Sequence, residues 1–222
     1  MEHCNMRQEQ LNNSWNGTRG TGCVMPRFLK LLAPERLSIT GSNGEKYVGG
    51  SQDWYEDRWY RMSGCGPVAA SNMIWYKSGT KSGMDNYLEL MNEMFTFVTP
   101  GRYGVNTSAI FTEGILRYGA KNALQFVPQV LEIPFAQCKR PNIEFVLAFL
   151  ASALLNDSPI AFLNLSNGVL DNLDNWHWVT IMALDTETML VEICDYGEKL
   201  EIDMSAWLRT SLLGGAFVFL VF

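Results

Sequence analysis

The stretch Ser63-Gly64-Cys65-Gly66-Pro67-Val68-Ala69-Ala70 sets one cysteine between two glycines, just ahead of small and apolar residues. Pro67 suits a first helical turn, and Ala69, Ala70, Met73, Ile74 and Tyr76 suit a buried helix that Gly79 would end. The stretch therefore reads as a loop-to-helix junction with Cys65 at its start. Unpaired backbone N–H groups and the helix dipole favour a thiolate there, and the thiolate is the form that attacks carbonyls.

Downstream, apolar spacing predicts further helices over 85–97, 108–118 and 142–155, the last with Asn142 as N-cap just after Pro141. The period then changes. Apolar runs of strand length fall at 159–165, 177–184, 189–195, 200–204 and 216–222. Helices first and strands afterwards give an α+β fold with an antiparallel sheet. Upstream, residues 27–32 form a short ordered element, and the four glycines within 37–51 mark a loop or hairpin. Residues 1–25 read as a polar N-terminal arm, and the whole chain, 1–222, as one domain.

Bulk properties narrow the function. A net charge of −6 leaves no basic surplus for nucleic acid and is the wrong sign for an anionic membrane. The longest apolar stretch, 145–155, is too short to span a bilayer, and the first twenty residues lack a signal-peptide core. Five cysteines without regular spacing fit a reducing compartment, so a cytoplasmic protein is expected. There is no CxxC pair and there are two histidines, which argues against structural zinc; no cofactor is called for. Oligomeric state is left open.

A cysteine nucleophile needs a base and usually a third group that orients it. Apart from His3 in the arm, His177 is the one histidine available. If the runs from 177 and to 195 pair about a turn centred near Thr186, His177 and Asp195 face each other across the strands. Val179, Ile181, Val191 and Ile193 then share their face, with Trp178, Thr180, Glu192 and Cys194 opposite. Asp195 would hold one imidazole nitrogen and leave the other for Cys65, whose thiol pKa should fall below the free value of ~8.5. Asn175 is the alternative orienting group. The oxyanion donors expected are the Cys65 backbone N–H and the side-chain amide of Gln52, with Asp57 or a backbone group as the alternative to Gln52. Cys23 and Cys138 are rival thiols, and Cys194 reads as packing. Of Trp54, Tyr55, Trp59 and Tyr60, most should pack and some could line a cleft. Trp176 and Trp178 flank His177, and one of them should shield the imidazole.

The Gly-Cys-Gly-Pro run resembles that of the papain-like cysteine peptidases, and most of all the bacterial C39-like group related to bacteriocin-leader peptidases. Asn175-Trp176-His177-Trp178-Val179 looks like that group's histidine motif, and Cys194-Asp195-Tyr196-Gly197 is similar to its Asp-x-Gly motif. The order Cys, His, Asp agrees, over about 52–197. Gln52 departs from the pattern by lying further before the cysteine than in many relatives. The resemblance implies a papain-like fold and a thiol protease acting on the peptide or isopeptide bonds of a peptide or protein substrate. Two alternatives accompany it: an acyltransferase or peptide-modifying enzyme on the same triad, and a catalytically silent binding module.

Overall fold

The computed structural model describes residues 26–79 and 83–222. The expected polar arm, with His3, Cys4 and Cys23, lies outside the described residues.

Short elements come first: β1 (Phe28–Lys30), β2 (Ser38–Thr40) and β3 (Lys46–Val48), the last two forming a hairpin. A 3-10 turn over Gln52–Trp54 leads to α1 (Arg58–Ser63) and α2 (Cys65–Ser78). Then follow α3 (Met84–Phe97), α4 (Ser108–Lys121), β4 (Val127–Ile133) and α5 (Ile143–Leu155). Strands β5 (Ile160–Asn164), β6 (His177–Asp185), β7 (Leu190–Asp195) and β8 (Glu198–Asp203) precede α6 (Met204–Thr210) and β9 (Gly215–Val221).

The coarse class is the expected one, mixed helix and antiparallel sheet. Among the described residues the main sheet has seven strands, in the order β4-β9-β5-β6-β7-β8, with β1 pairing the far end of β6. Helices cover both of its faces. Ala161, Leu163, Trp178, Ala216 and Val218 pack against residues of α2 and α4, including Ala69, Met73, Phe111 and Ile115. The alternate residues Phe162, Val179, Ile181, Phe217 and Phe219 pack against α5 and α6 through Leu150, Leu154 and Trp207. This period-2 division puts Ala161, Ala216 and Val218 on the α2 and α4 side together with the larger Leu163 and Trp178, and the Phe162, Phe217 and Phe219 rings on the other.

The structure adds one strand and corrects three readings. β4 was not foreseen, and Met204 starts α6, capped by the Asp203 side chain accepting from Ala206 N–H, instead of ending a strand. Cys65 is preceded by a helix, not a loop: α1 ends at Ser63 and Gly64 alone separates it from α2. His177 and Asp195 are not directly opposed, because the pairs are Thr180↔Cys194 and Ile181↔Ile193, with a bulge at Met182 before Ala183↔Glu192. Extending that register puts Asp195 opposite Val179, so His177 lies on the diagonal. The shift is two residues, an even number, and both side chains stay on one face.

Arg140, only 7% exposed, ties the segment after β4 to the end of α6. Its guanidinium donates to the carbonyls of Pro134 (2.8 Å), Leu208 (3.1 Å), Ser211 (2.9 Å) and Phe135 (3.2 Å).

Candidate active site

The elements around Cys65 explain the glycines beside it. A Cβ on Gly64 would lie 2.5 Å from the Tyr55 ring and from the Tyr60 carbonyl, and one on Gly66 would lie 2.8 Å from Val105. Only residues without a side chain allow α1, the Gln52–Trp54 segment and the loop before α4 to close around the start of α2. The helical bonding of α2 opens with Val68 N–H donating to Gly64 O at 2.9 Å. The N–H groups of Cys65 and Gly66 precede that bond, and Pro67 has none to offer.

α2 is buried from Cys65 through Tyr76, so its one amide side chain stands out. Asn72 donates to Thr180 Oγ1 (3.0 Å) and to Cys194 Sγ (3.7 Å). Its Oδ1 accepts from Gly50 N–H (2.9 Å) and from the Tyr87 hydroxyl (2.6 Å). Gly50 in turn accepts from Gly197 N–H at 3.2 Å. A chain of hydrogen bonds thus links α2 to the turn that carries Asp195.

That turn is a two-residue hairpin loop, Tyr196-Gly197, closing the Asp195↔Glu198 pair. Its φ values of 48° and 79° are of the type I′ kind that matches strand twist. It leaves Asp195 at the last position of β7, with Oδ1 accepting from Tyr196 N–H (3.0 Å) and lying 2.8 Å from His177 Nε2. With the carboxylate as acceptor, the imidazole is the donor in that pair, and Nδ1 is the nitrogen left free of Asp195; Cys65 also interacts with the ring. Cys65, His177 and Asp195 are respectively 9%, 5% and 8% exposed.

Burial alone pulls the His177 pKa down, because it penalises the charged ring; the hydrogen bonds and charges of Asp195 and Cys65 more than reverse this. The net direction is up from the ordinary 6.5. The site thus favours an imidazolium between a carboxylate and a sulfur.

Gln52 opens the 3-10 turn two residues after Gly50, and its Oε1 is buried with no hydrogen-bond partner. Asp57 caps α1 by accepting from Tyr60 N–H and is exposed. Asn175 does not orient the imidazole: its Oδ1 accepts from Asn167 N–H (2.7 Å). Cys194 packs as expected, and burial pushes its thiol up to about 12. Cys138 is exposed. Of the aromatic group, Tyr55 is buried and donates to Met91 O (3.0 Å), while Trp59 is exposed.

Neither flanking tryptophan stacks on the imidazole. Trp178 points to the α2 side of the sheet, stacks on Phe111 (4.4 Å) and donates to Val105 O. Trp176 is exposed. The ring stacked on His177 is Tyr196, with centroids 5.3 Å apart and planes 12° from parallel. Sequence reasoning missed it and Asn72. A lone amide in an otherwise largely apolar helix is the signal that could have found Asn72. Nothing in the residue order betrays the Tyr196 stack.

Among the described residues no cluster of three or more His, Cys, Asp or Glu side chains offers a metal site, and no helix is long and apolar enough to cross a membrane. No family model and no curated protein matches the chain.

Proposed function

We propose that the chain is a C39-like cysteine peptidase of the papain-like kind, hydrolysing peptide or isopeptide bonds through Cys65, His177 and Asp195. One observation carries the reading: a single buried imidazole is bonded to a carboxylate through Nε2 and interacts with the thiol of Cys65. That arrangement takes a proton from sulfur and keeps it available for a leaving group.

The Cys65 thiolate attacks the carbonyl carbon, and the electron pair moves to the oxygen. The Cys65 backbone N–H, joined by the Gln52 side-chain amide, receives that oxyanion. Collapse expels the amine, which takes the proton from His177 and leaves a thioester on Cys65. His177 then accepts a proton from water as the water oxygen attacks the thioester. The tetrahedral intermediate collapses with loss of the thiolate, the acid departs, and the imidazole keeps the proton it took from water, which restores the imidazolium beside the thiolate. Asp195 keeps the imidazole in the orientation that serves both steps. The contact between thiol and imidazole favours this reading over a silent binding module.

The test is incubation with a denatured protein mixture, followed by identification of new amino termini. The wild type should produce them and Cys65→Ala should not. Amide products formed only with an added amine would make the chain an acyltransferase. Cleavage surviving in Cys65→Ala would overturn the proposal.

A further inference from the structure

We infer that Tyr196 is a positioning residue for the candidate base: its ring, tethered by Asp174, holds the His177 imidazole in plane against Asp195. The inference rests on the proposed role of the Cys65–His177 pair. The tether is direct, the Tyr196 hydroxyl donating to Asp174 Oδ2 at 3.0 Å. Asp174 lies three residues before His177, and Tyr196 directly follows Asp195. The bond therefore joins the segment entering β6 to the turn leaving β7, closing a loop of contacts around the imidazole: Asp174, Tyr196, Asp195, His177.

The backbone bears the same mark. Tyr196 has φ 48° and Trp176, just before His177, has φ 55°. Bulky L residues seldom adopt these values, and glycine or asparagine would relax them. Left-handed non-glycine residues persist where their surroundings hold them, and they gather at functional sites. Here the two flank the two members of the His–Asp pair.

A parallel aromatic ring favours a cationic partner and keeps water off the hydrogen bond beside it. Removing the ring takes the aromatic contact from the imidazolium and exposes its bond to Asp195 to water, and the partial relief of burial offsets these losses only in part. The groups facing the imidazole are Asp195 from β7, Cys65 from α2 and Tyr196 from the turn; the charges of Asp174, Asp195 and Asp53 act on the Tyr196 hydroxyl, and Tyr55 and Cys65 interact electrostatically.

The test is the pH profile of iodoacetamide alkylation of Cys65 in the full chain, with thermal melting alongside. In Tyr196→Asn the alkaline limb set by imidazolium loss should move acidward by about one pH unit, a tenfold change in the ionisation ratio. The melting midpoint should stay within about 3 °C, since asparagine relaxes the turn. Tyr196→Phe and Asp174→Ala should share a smaller acidward shift, and Asp174→Asn, which keeps an acceptor, should retain the wild-type profile. A Tyr196→Asn limb that is unmoved or moves to higher pH overturns the inference, as does a fall in melting midpoint with reactivity lowered equally at every pH. Failure of the underlying reading looks different: wild-type alkylation would then be indifferent to His177→Ala.

Discussion

In His177→Ala, alkylation of Cys65 by iodoacetamide at pH 5 is expected to slow by about 10- to 100-fold. Without an imidazolium beside it, the thiol should behave as an ordinary one, with pKa ~8.5 and about 0.03% ionised at pH 5. On the proposed mechanism, an imidazolium beside the sulfur would supply the reactive thiolate in the wild type. The fold-change is smaller than the ratio of ionised fractions because a low-pKa thiolate is a weaker nucleophile. The shape of the profile discriminates better than its height. The folded-state pKa of His177 is raised, so the imidazolium persists through neutral pH and is lost only as pH rises through that raised value. Wild-type rates should stay nearly level from pH 5 to 7, whereas those of His177→Ala should climb about tenfold per unit until the thiol ionises. Superimposable profiles would remove His177 from the site.

The second large effect is on stability. Arg140→Met keeps an apolar stem of similar length and removes every donor that serves Pro134, Phe135, Leu208 and Ser211. The bonds to Leu208 and Ser211 are buried, so their carbonyls lose their partner with no water to replace it. Leaving buried acceptors unpaired costs about 1–3 kcal/mol each, and the two together set a loss of about 3 kcal/mol. For a chain of this size that lowers the melting midpoint by about 6–12 °C. Arg140→Lys should recover only part of it, because one ammonium cannot fan out over four carbonyls. A midpoint within about 2 °C of the wild type would show that the loops carry themselves.

The parts of the fold written in local signals were legible. Asn142 caps α5 by accepting from Phe145 N–H, Gly79 ends α2 with a left-handed φ of 59°, and the apolar runs became β5, β6, β7 and β9. β4 was not legible because it lies at the sheet edge, carries Pro128, Gln129 and Glu132, and leaves half its side chains in water. Edge strands need no continuous apolar pattern.

The site shows the same division. Residue identities and strand parity point to Cys65, His177 and Asp195, and the structure brings these three together. The pairing itself depends on the Met182 bulge and on a longer turn, in which Asp185 Oδ1 accepts from the N–H groups of Glu187 and Thr188. Neither leaves a periodic trace. The Tyr196 stack, the Asp174 tether and the Asn72 network join elements distant in sequence, and single-chain patterning is blind to such pairs. Gln52 lies between the two cases: its residue type suggested an oxyanion donor, and its buried, unpartnered Oε1 marks it as a polar group with no structural bond to explain that atom.

The most direct test of the account is to acylate the protein with p-nitrophenyl acetate and follow the acetyl group by peptide mapping over time. The account predicts one acetyl on Cys65 that turns over in the wild type and persists in His177→Ala, where no base delivers water to the thioester. Acetylation that bypasses Cys65, or a Cys65 adduct that decays equally fast in both proteins, would contradict it.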